Sequence, residues 1–307
     1  MWASLLAIKI ADPKVLSQLL TTSHPQTLGF SIQLGETMHI VTPPQTIIDL
    51  TPFNPFGRFT NGRPQVPDHL IERMKLVTTE EAWGVLSEHG YHWQFEGNWF
   101  QTHPDRILVG RAVTAMMLPY RPDLHEVIES TGQAEGRIGG QNSWVIDTLE
   151  SGDVMVVDMH GKIKDGTFVG DNLSTSVQTR TQAGAIIDGG IRDYQGVRQL
   201  TDVAFFCRGL HPTAIADLTL AGINMPIRIG EATVLPGDVV LGTPTGVIFI
   251  PPHLVQEVVE RSEDIRVRDE FGKYCLQAGL YTPGQIDRVW TADIEADFQK
   301  WLENQGL

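Results

Sequence analysis

Three charged side chains at two points of the chain have the types and spacing to handle a small acidic molecule. Residues 186–193 read IIDGGIRD, an apolar run that meets an acid, two glycines, and then Arg192 beside Asp193. Residues 168–175 read FVGDNLST, with Gly170 and Asp171 directly before a run of small polar residues. Arginine grips a carboxylate through two parallel hydrogen bonds. An aspartate oxygen is a hard ligand for a divalent cation. Glycine lets a backbone turn tightly or approach a ligand closely, and free N–H groups at a helix start attract anions. Each motif also has a plainer reading. Asp193 can cap a helix after a double-glycine turn, and Asp171 can be the N-cap of the helix it precedes.

The elements around these residues decide whether the two motifs meet. NLSTSVQTRTQA, residues 172–183, predicts a helix of small residues that ends before Gly184, and GAIIDGG predicts a buried strand. Asp171 lies 22 residues before Asp193. A strand-turn-helix-strand excursion of that length can return the chain beside its start, with the two loops facing each other. RILVGRAVTAMML, GDVMVVDMHG and VAFFCRG predict further strands, and YQGVRQL a short helix. GDVVLGTPTGVIFI predicts two strands around a Thr-Pro-Thr-Gly turn. GDV opens a strand twice, at Gly152 and Gly237, in flanks different enough to mark a shared turn rather than a repeat. HLIERMKLV and TTEEAWGVLSEHG predict helices, the second with Thr79 as N-cap and Gly90 as stop. Leu254, Val255, Val258, Val259 and Ile265 form one apolar face of a long helix, as do Ile294, Phe298, Trp301 and Leu302 in a final one. Such stripes are core or subunit contacts. The alternation of strands and helices makes the middle of the chain α/β.

Composition narrows the partners. With 23 Lys+Arg against 37 Asp+Glu, the formal net charge is −14, which argues against a broad basic face for nucleic acid. One or two local cations still suffice for an anionic substrate. Cys207 and Cys275 form neither a CxxC pattern nor a disulfide framework, so a reducing, cytoplasmic location is expected. No apolar stretch reaches transmembrane length, and no membrane partner is expected. The opening MWASLLAIKIADPKVLSQLL lacks the basic start and cleavage site of a secretory signal. There is no GxGxxG or P-loop to hold a nucleotide. His103, His160 and His211 lack the close spacing of a zinc motif. Trp93, Phe95, Trp99 and Phe100 read as an aromatic cluster in a core or interface.

GDNLSTSVQTRTQAGAIIDGGIRD resembles the signature of the RraA-like family, as do TTEEAWGVLSEHG, LVGRAVTA, SGDVMVVD and PGDVVLGTPTGVIFIPP, over roughly residues 65–280. The resemblance implies an α/β fold, an RraA-like swivelling β/β/α domain with flanking helices. The domain would span 63–280, with a C-terminal helical tail over 281–307. The residues before it are rich in Pro, Thr, Asn and Gly and predict turns and extended segments, with short strands at GFSIQL and MHIVTP; they read as an N-terminal appendage over 1–62, disordered in part and not needed for chemistry. The family includes class II 4-hydroxy-4-methyl-2-oxoglutarate aldolases, which also decarboxylate oxaloacetate, and a regulator of ribonuclease E. By resemblance, Gly170, Asp171, Asn172 and Leu173 form the substrate loop through backbone amides. Arg192 binds the carboxylate and keto oxygen of a short 2-oxo acid, and Asp193 holds Mg2+ or Mn2+ through its water shell. Asp171 positions a water for proton transfer, and Glu81 stands near that water. Glu263 or Glu270 would complete the site of a neighbouring subunit in a homotrimer or a dimer of trimers, with the long helix 253–278 supplying apolar contact surface. Where many members read ADxDGV, this chain reads GTPTGV at 242–247, a departure that bears on the particular substrate.

Such a site implies a lyase. Breaking a C–C bond beside a keto acid, or decarboxylating oxaloacetate, leaves the enolate of pyruvate, which needs an electron sink. A divalent cation next to Arg192 is one such sink. A lysine Schiff base is the other, with Lys162 and Lys164 nearest in sequence. The alternative to an enzyme is a non-catalytic regulatory or scaffold protein on the same fold.

Overall fold

Runs of β-branched and apolar residues between 108 and 250 place the strands, and a computed structural model describes the chain over residues 39–306. The first elements are α1 (Pro44–Leu50), β1 (Gly57–Arg58), β2 (Pro64–Gln65), α2 (Asp68–Met74) and α3 (Thr79–Glu88). Then come β3 (Phe95–Glu96), β4 (Phe100–Gln101), β5 (Leu108–Pro119), α4 (Pro122–Ala134), α5 (Gln141–Ile146) and β6 (Asp153–Val169). The middle holds α6 (Asp171–Thr181), β7 (Gly184–Ile191), α7 (Tyr194–Val197), β8 (Ala204–Leu210) and β9 (Leu218–Ile223). The rest is β10 (Ile227–Ile229), β11 (Ala232–Val234), β12 (Val239–Thr243), β13 (Gly246–Ile250), α8 (Val255–Gln277), α9 (Pro283–Ile286) and α10 (Ala292–Gln305).

A nine-stranded sheet organises these elements, in the order β3-β13-β12-β5-β6-β7-β8-β4, with β9 also on β5. The four central strands β5, β6, β7 and β8 pair in parallel, and the outer strands add antiparallel. Every residue of β7 is buried, as a parallel strand covered on both faces requires. One face of the sheet carries Val157, Ile187 and Phe205 against Trp144 of α5 and Val177 of α6. Along β12 and β13, Leu241 and Ile248 pack against α2, α3 and the N-terminal half of α8. There Val85 and Leu86 of α3 are fully buried or nearly so, each contributing about 1.5–3 kcal/mol relative to exposure. The tail folds back on its own chain, with Ile294 and Phe298 of α10 packing on Phe271 and Cys275 of α8.

Several local expectations change. The N-cap of α3 is Thr78, not Thr79: its side chain accepts the Glu81 N–H and the Glu81 carboxylate accepts the Thr78 N–H. Ile265 in α8 is only partly buried. The four aromatics do not cluster. Trp93 is 65% exposed, Trp99 lies under the Arg208 guanidinium at 3.8 Å, and Phe100 meets Tyr194 edge-on at 5.2 Å.

Residues 39–62 are not an appendage. Ile40 and Ile47 are fully buried, Val41 bridges to Ile223 of β9, and the Thr42 N–H donates to the Ile223 carbonyl. Just beyond, Arg63 forks onto Asp153 at 2.8 and 3.0 Å, both side chains buried. Turn-forming composition hid these contacts, because their partners lie far along the chain. The expected strand over GFSIQL, and the rest of the predicted appendage before residue 39, lie outside the described residues.

Candidate functional site

The two loops singled out by their chemistry lie side by side. Strands β6 and β7 run parallel, and Val169 pairs with Ile191 at their C-terminal ends. The Arg192 N–H continues the ladder to the Val169 carbonyl at 3.1 Å. The residues after each strand therefore emerge together, where open α/β sheets place their ligands. Gly170 is the N-cap of α6, and an ideal Cβ built on it would lie 2.3 Å from Asp193 Oδ2 and 3.1 Å from Arg192 Nε. Any side chain there would displace Asp193 and Arg192 of the opposite loop. Reciprocally, a Cβ on Gly196 of α7 would lie 2.7 Å from the Asp171 Cβ.

The polar groups at this junction are largely uncommitted. Arg192 and Asp193 are each 44% exposed, and Arg192 Nε stands 3.5 Å from Asp193 Oδ2. The Arg192 guanidinium makes no hydrogen bond among the described residues, so its fork is available to a carboxylate. Asp193 holds a left-handed backbone, φ +53°, at the N-cap of α7, and its side chain caps nothing there. The plain helix-cap reading of Asp193 therefore fails. Asp171 is the first residue of α6 rather than its cap, and its Oδ1 accepts the Asn172 N–H at 2.8 Å. That amide is spent, while the Asp171 and Leu173 amides have no acceptor among the described residues. One turn further, the buried Ser174 hydroxyl has no partner among the described residues.

The double glycine serves packing rather than a turn. β7 runs straight through Gly189 and Gly190 to Ile191. Between Asp158 and Val169 the long strand β6 is irregular and presses on them. A Cβ on Gly189 would meet Met159 Sδ at 2.9 Å, and one on Gly190 the Ile163 carbonyl at 2.8 Å. The acid before the glycines has a separate role. Asp188 accepts Arg208 Nε at 2.6 Å, and Arg208 also donates to Glu96 at 2.8 Å.

Other candidates lie elsewhere. Glu81 is held by its capping box and by the Ser262 hydroxyl of α8 at 2.6 Å. Glu263 is forked by Arg73 of the same chain at 2.8 and 2.7 Å, whereas Glu270 is exposed. Lys162 Nζ donates to the Ala216 carbonyl at 2.9 Å, and Lys164 is exposed. His103, His160 and His211 lie against Thr102, Asp158 and Thr213 respectively. Burial pushes the Cys207 thiol up to about 12, which excludes it as a thiolate at neutral pH. A cavity of about 800 Å³ opens at the other end of the parallel strands, beside Ser151, Gln182 and Asp202. Each cation lining it is already matched: Lys75 by Glu72, Arg106 by Asp202 and Arg111 by Asp68. Size favours that cavity, but the uncommitted groups favour the Gly170–Asp193 junction.

Asp193 and Asp171 together offer a hard cation one or two carboxylate oxygens, and among the described residues no group of three or more His, Cys, Asp or Glu stands ready to hold a metal. That donor set fits an ion such as Mg2+, which keeps several waters and takes one or two carboxylates. It does not fit an all-protein cage. Sequence reading missed Gly196 and Ser174. A glycine two residues into a helix after IRD was the available sign for the first, and nothing marked the second.

Comparison with known proteins bears on these loops. The family model described as RraA-like, Aldolase/RraA, matches residues 85–249, which contain both. A Hahella chejuensis protein named "Putative 4-hydroxy-4-methyl-2-oxoglutarate aldolase" is 32% identical over 157 residues, covering 46% of this chain and 94% of its own length. A protein of the same printed name from Halalkalibacterium halodurans is 32% identical over 119 residues, covering 39% of this chain and 56% of that one. The chain spans about half the length, or less, of the first curated relatives it matches. Among solved structures, Streptomyces coelicolor RraAS2, described as an unusual member of the RNase ES inhibitor RraA protein family, superposes with a TM-score of 0.58 at 25% identity. The match covers 71% of this chain and 99% of that one.

Proposed function

The chain belongs to the RraA-like family, and from that premise we propose that it is a divalent-metal-dependent lyase of short 2-oxo acids. It would cleave a C–C bond by retro-aldol reaction, decarboxylate oxaloacetate, or both. The observation that carries this reading is the junction itself, where Asp193 and an arginine fork free of hydrogen bonds among the described residues close on Gly170, next to Asp171. The printed names of the Hahella and Halalkalibacterium relatives support the substrate class.

The chain's own residues have distinct tasks. Arg192 grips the substrate carboxylate with its fork and stays beside the keto oxygen, where negative charge grows as the bond breaks. The free Asp171 and Leu173 amides orient the acid at the start of α6. Asp171, with Oδ1 occupied by the Asn172 N–H, keeps Oδ2 for a water that returns a proton to the methylene carbon. Asp193 would hold the cation with Asp171 nearby. When bound, the cation supplies the electron sink for the enolate. Lys162 is tied to a carbonyl, which counts against that amine as the Schiff-base nucleophile.

The test is pyruvate release from 4-hydroxy-4-methyl-2-oxoglutarate and from oxaloacetate, after chelator treatment and then with Mg2+ or Mn2+ restored. Metal-dependent release above the metal-only rate is the expected result. No release from either acid with either metal would remove the lyase reading. It would favour a regulatory protein on this fold, a second reading supported by the likeness to RraAS2.

A further inference from the structure

The GDV turn occurs twice, and the two copies differ in what faces the acid. In the first, Gly152 takes a positive φ of +78° and Asp153 Oδ2 accepts the Glu150 N–H at 2.8 Å. In the second, Gly237 takes φ +89° and Asp238 Oδ2 accepts the Leu235 N–H at 2.8 Å. Both carboxylates are buried. Asp153 is matched by the Arg63 fork. Asp238 has no cationic partner, and its Oδ1 takes no hydrogen bond among the described residues. Burial pushes its carboxyl up to about 7, opposed only by the Leu235 N–H.

Where the first turn has a guanidinium, the second has a cavity of about 660 Å³. It opens between the segment after α1, the loop after α3, and the Pro251–His253 turn. Its walls are aromatic: Phe53 and Tyr91 flank the His253 ring at centroid distances of 5.8 and 6.0 Å, and Trp93 stands at the rim. Phe53 and Trp93 are 74% and 65% exposed, so their faces are available. Asp49 and Glu231 add carboxylates, and among the described residues no lysine or arginine lines the space. Burial lowers the His253 pKa, which keeps that ring neutral. An apolar guest would waste the buried acid, and an anion would be repelled by it. A cation satisfies both features, because aromatic faces and a carboxylate attract positive charge.

We propose that this cavity is a second binding site, separate from the Gly170–Asp193 junction, for a small organic cation. Its ammonium or guanidinium group would sit at Asp238 and its body against Phe53, Tyr91 and Trp93. The site needs no divalent metal, and it does not depend on the lyase reading.

Two probes of one shape test this on the full chain: phenethylammonium and the neutral 2-phenylethanol, followed by titration calorimetry and tryptophan fluorescence. The ammonium should bind at least about tenfold more tightly than the alcohol. Asp238→Asn keeps an acceptor for the Leu235 N–H and should abolish that preference while leaving the alcohol unchanged. Trp93→Ala and Phe53→Ala alter exposed rings, leave folding intact, and should weaken both probes. Equal affinity for the two probes in the parent chain overturns the proposal. So does a preference that survives Asp238→Asn, or, should that variant not fold, ammonium binding indifferent to both ring variants.

Discussion

Arg192 and Asp193 adjoin in sequence, and their side chains should fail in different ways. Arg192→Lys keeps the charge but replaces a planar fork with a single point. Losing a charge-assisted hydrogen bond, about 1.5–3 kcal/mol, predicts a fall in kcat/KM of roughly 10- to 150-fold, shared between KM and kcat because one group holds both substrate and enolate. Asp193→Asn removes the anionic ligand and should raise the Mg2+ requirement steeply with the melting temperature unchanged, since its side chain caps nothing. A steady-state titration of substrate and metal for each variant separates the two. An Asp193→Asn protein with unchanged turnover and metal dependence would sink the lyase assignment. At this scale the sequence was readable where charge stood next to charge on a loop. Asp188 sat in the same eight residues, yet its partner Arg208 is on the next strand and Glu96 lies far earlier. No local pattern distinguished Asp188, which braces the sheet, from Asp193, the acid of the proposed site.

At the scale of elements, the site depends on two strand ends being brought within a side chain's reach. Gly170→Ala places a methyl where Asp193 Oδ2 and Arg192 Nε now stand. Both contacts are ends of half-exposed side chains, so the fold should survive with a melting shift of about a degree or two. Metal affinity should drop by about tenfold or more, as for displaced supports of metal ligands. Calorimetric Mg2+ titration beside a thermal melt measures both. The alternation of strand and helix from 153 to 210 was legible because apolar runs and glycine stops mark it directly. Residues 39–62 were not, because proline, threonine and asparagine signal turns and say nothing of the buried Ile40 and Ile47 or of the bridge from Val41 to distant β9. A chain shortened to begin at Arg63 loses those contacts and should melt many degrees lower or fail to fold, against the expectation drawn from composition. Arg63 itself cannot be spared. Burial lifts the Asp153 carboxyl above its ordinary range and the guanidinium opposes the lift, so Arg63→Ala should cost about 3–5 kcal/mol in denaturant unfolding.

The whole molecule adds two dependences that no single loop shows. Asp238 titrates near 7 folded and near 3.8 unfolded, so from about pH 4 to 7 the folded chain binds more protons. Its contribution to stability is fully present below the unfolded value and is lost as pH rises through the folded one. Asp238→Asn lacks that slope, and its stability relative to the parent should improve by up to a few kcal/mol between pH 4 and 8 in urea melts. The second is the assembly that the family resemblance predicts. The C-terminal half of α8 is covered by α9 and α10 of its own chain, so less of this helix is free for a neighbour than its stripe suggested. Of the two acids that the family resemblance suggests for a neighbouring site, Glu263 is engaged by Arg73 and Glu270 is exposed, so we propose Glu270 for that role. In a homotrimer each site would pair one chain's Asp193 with the next chain's Glu270. At a Mg2+ concentration that just saturates the parent, Asp193→Asn and Glu270→Gln should each be inactive alone. Mixed one to one and reassembled, they should recover about a quarter of parental activity, because a quarter of random neighbours combine both intact residues. A trimeric mass with no recovery on mixing would place the completing acid within the chain, and a monomeric mass with full activity would end the shared-site reading altogether.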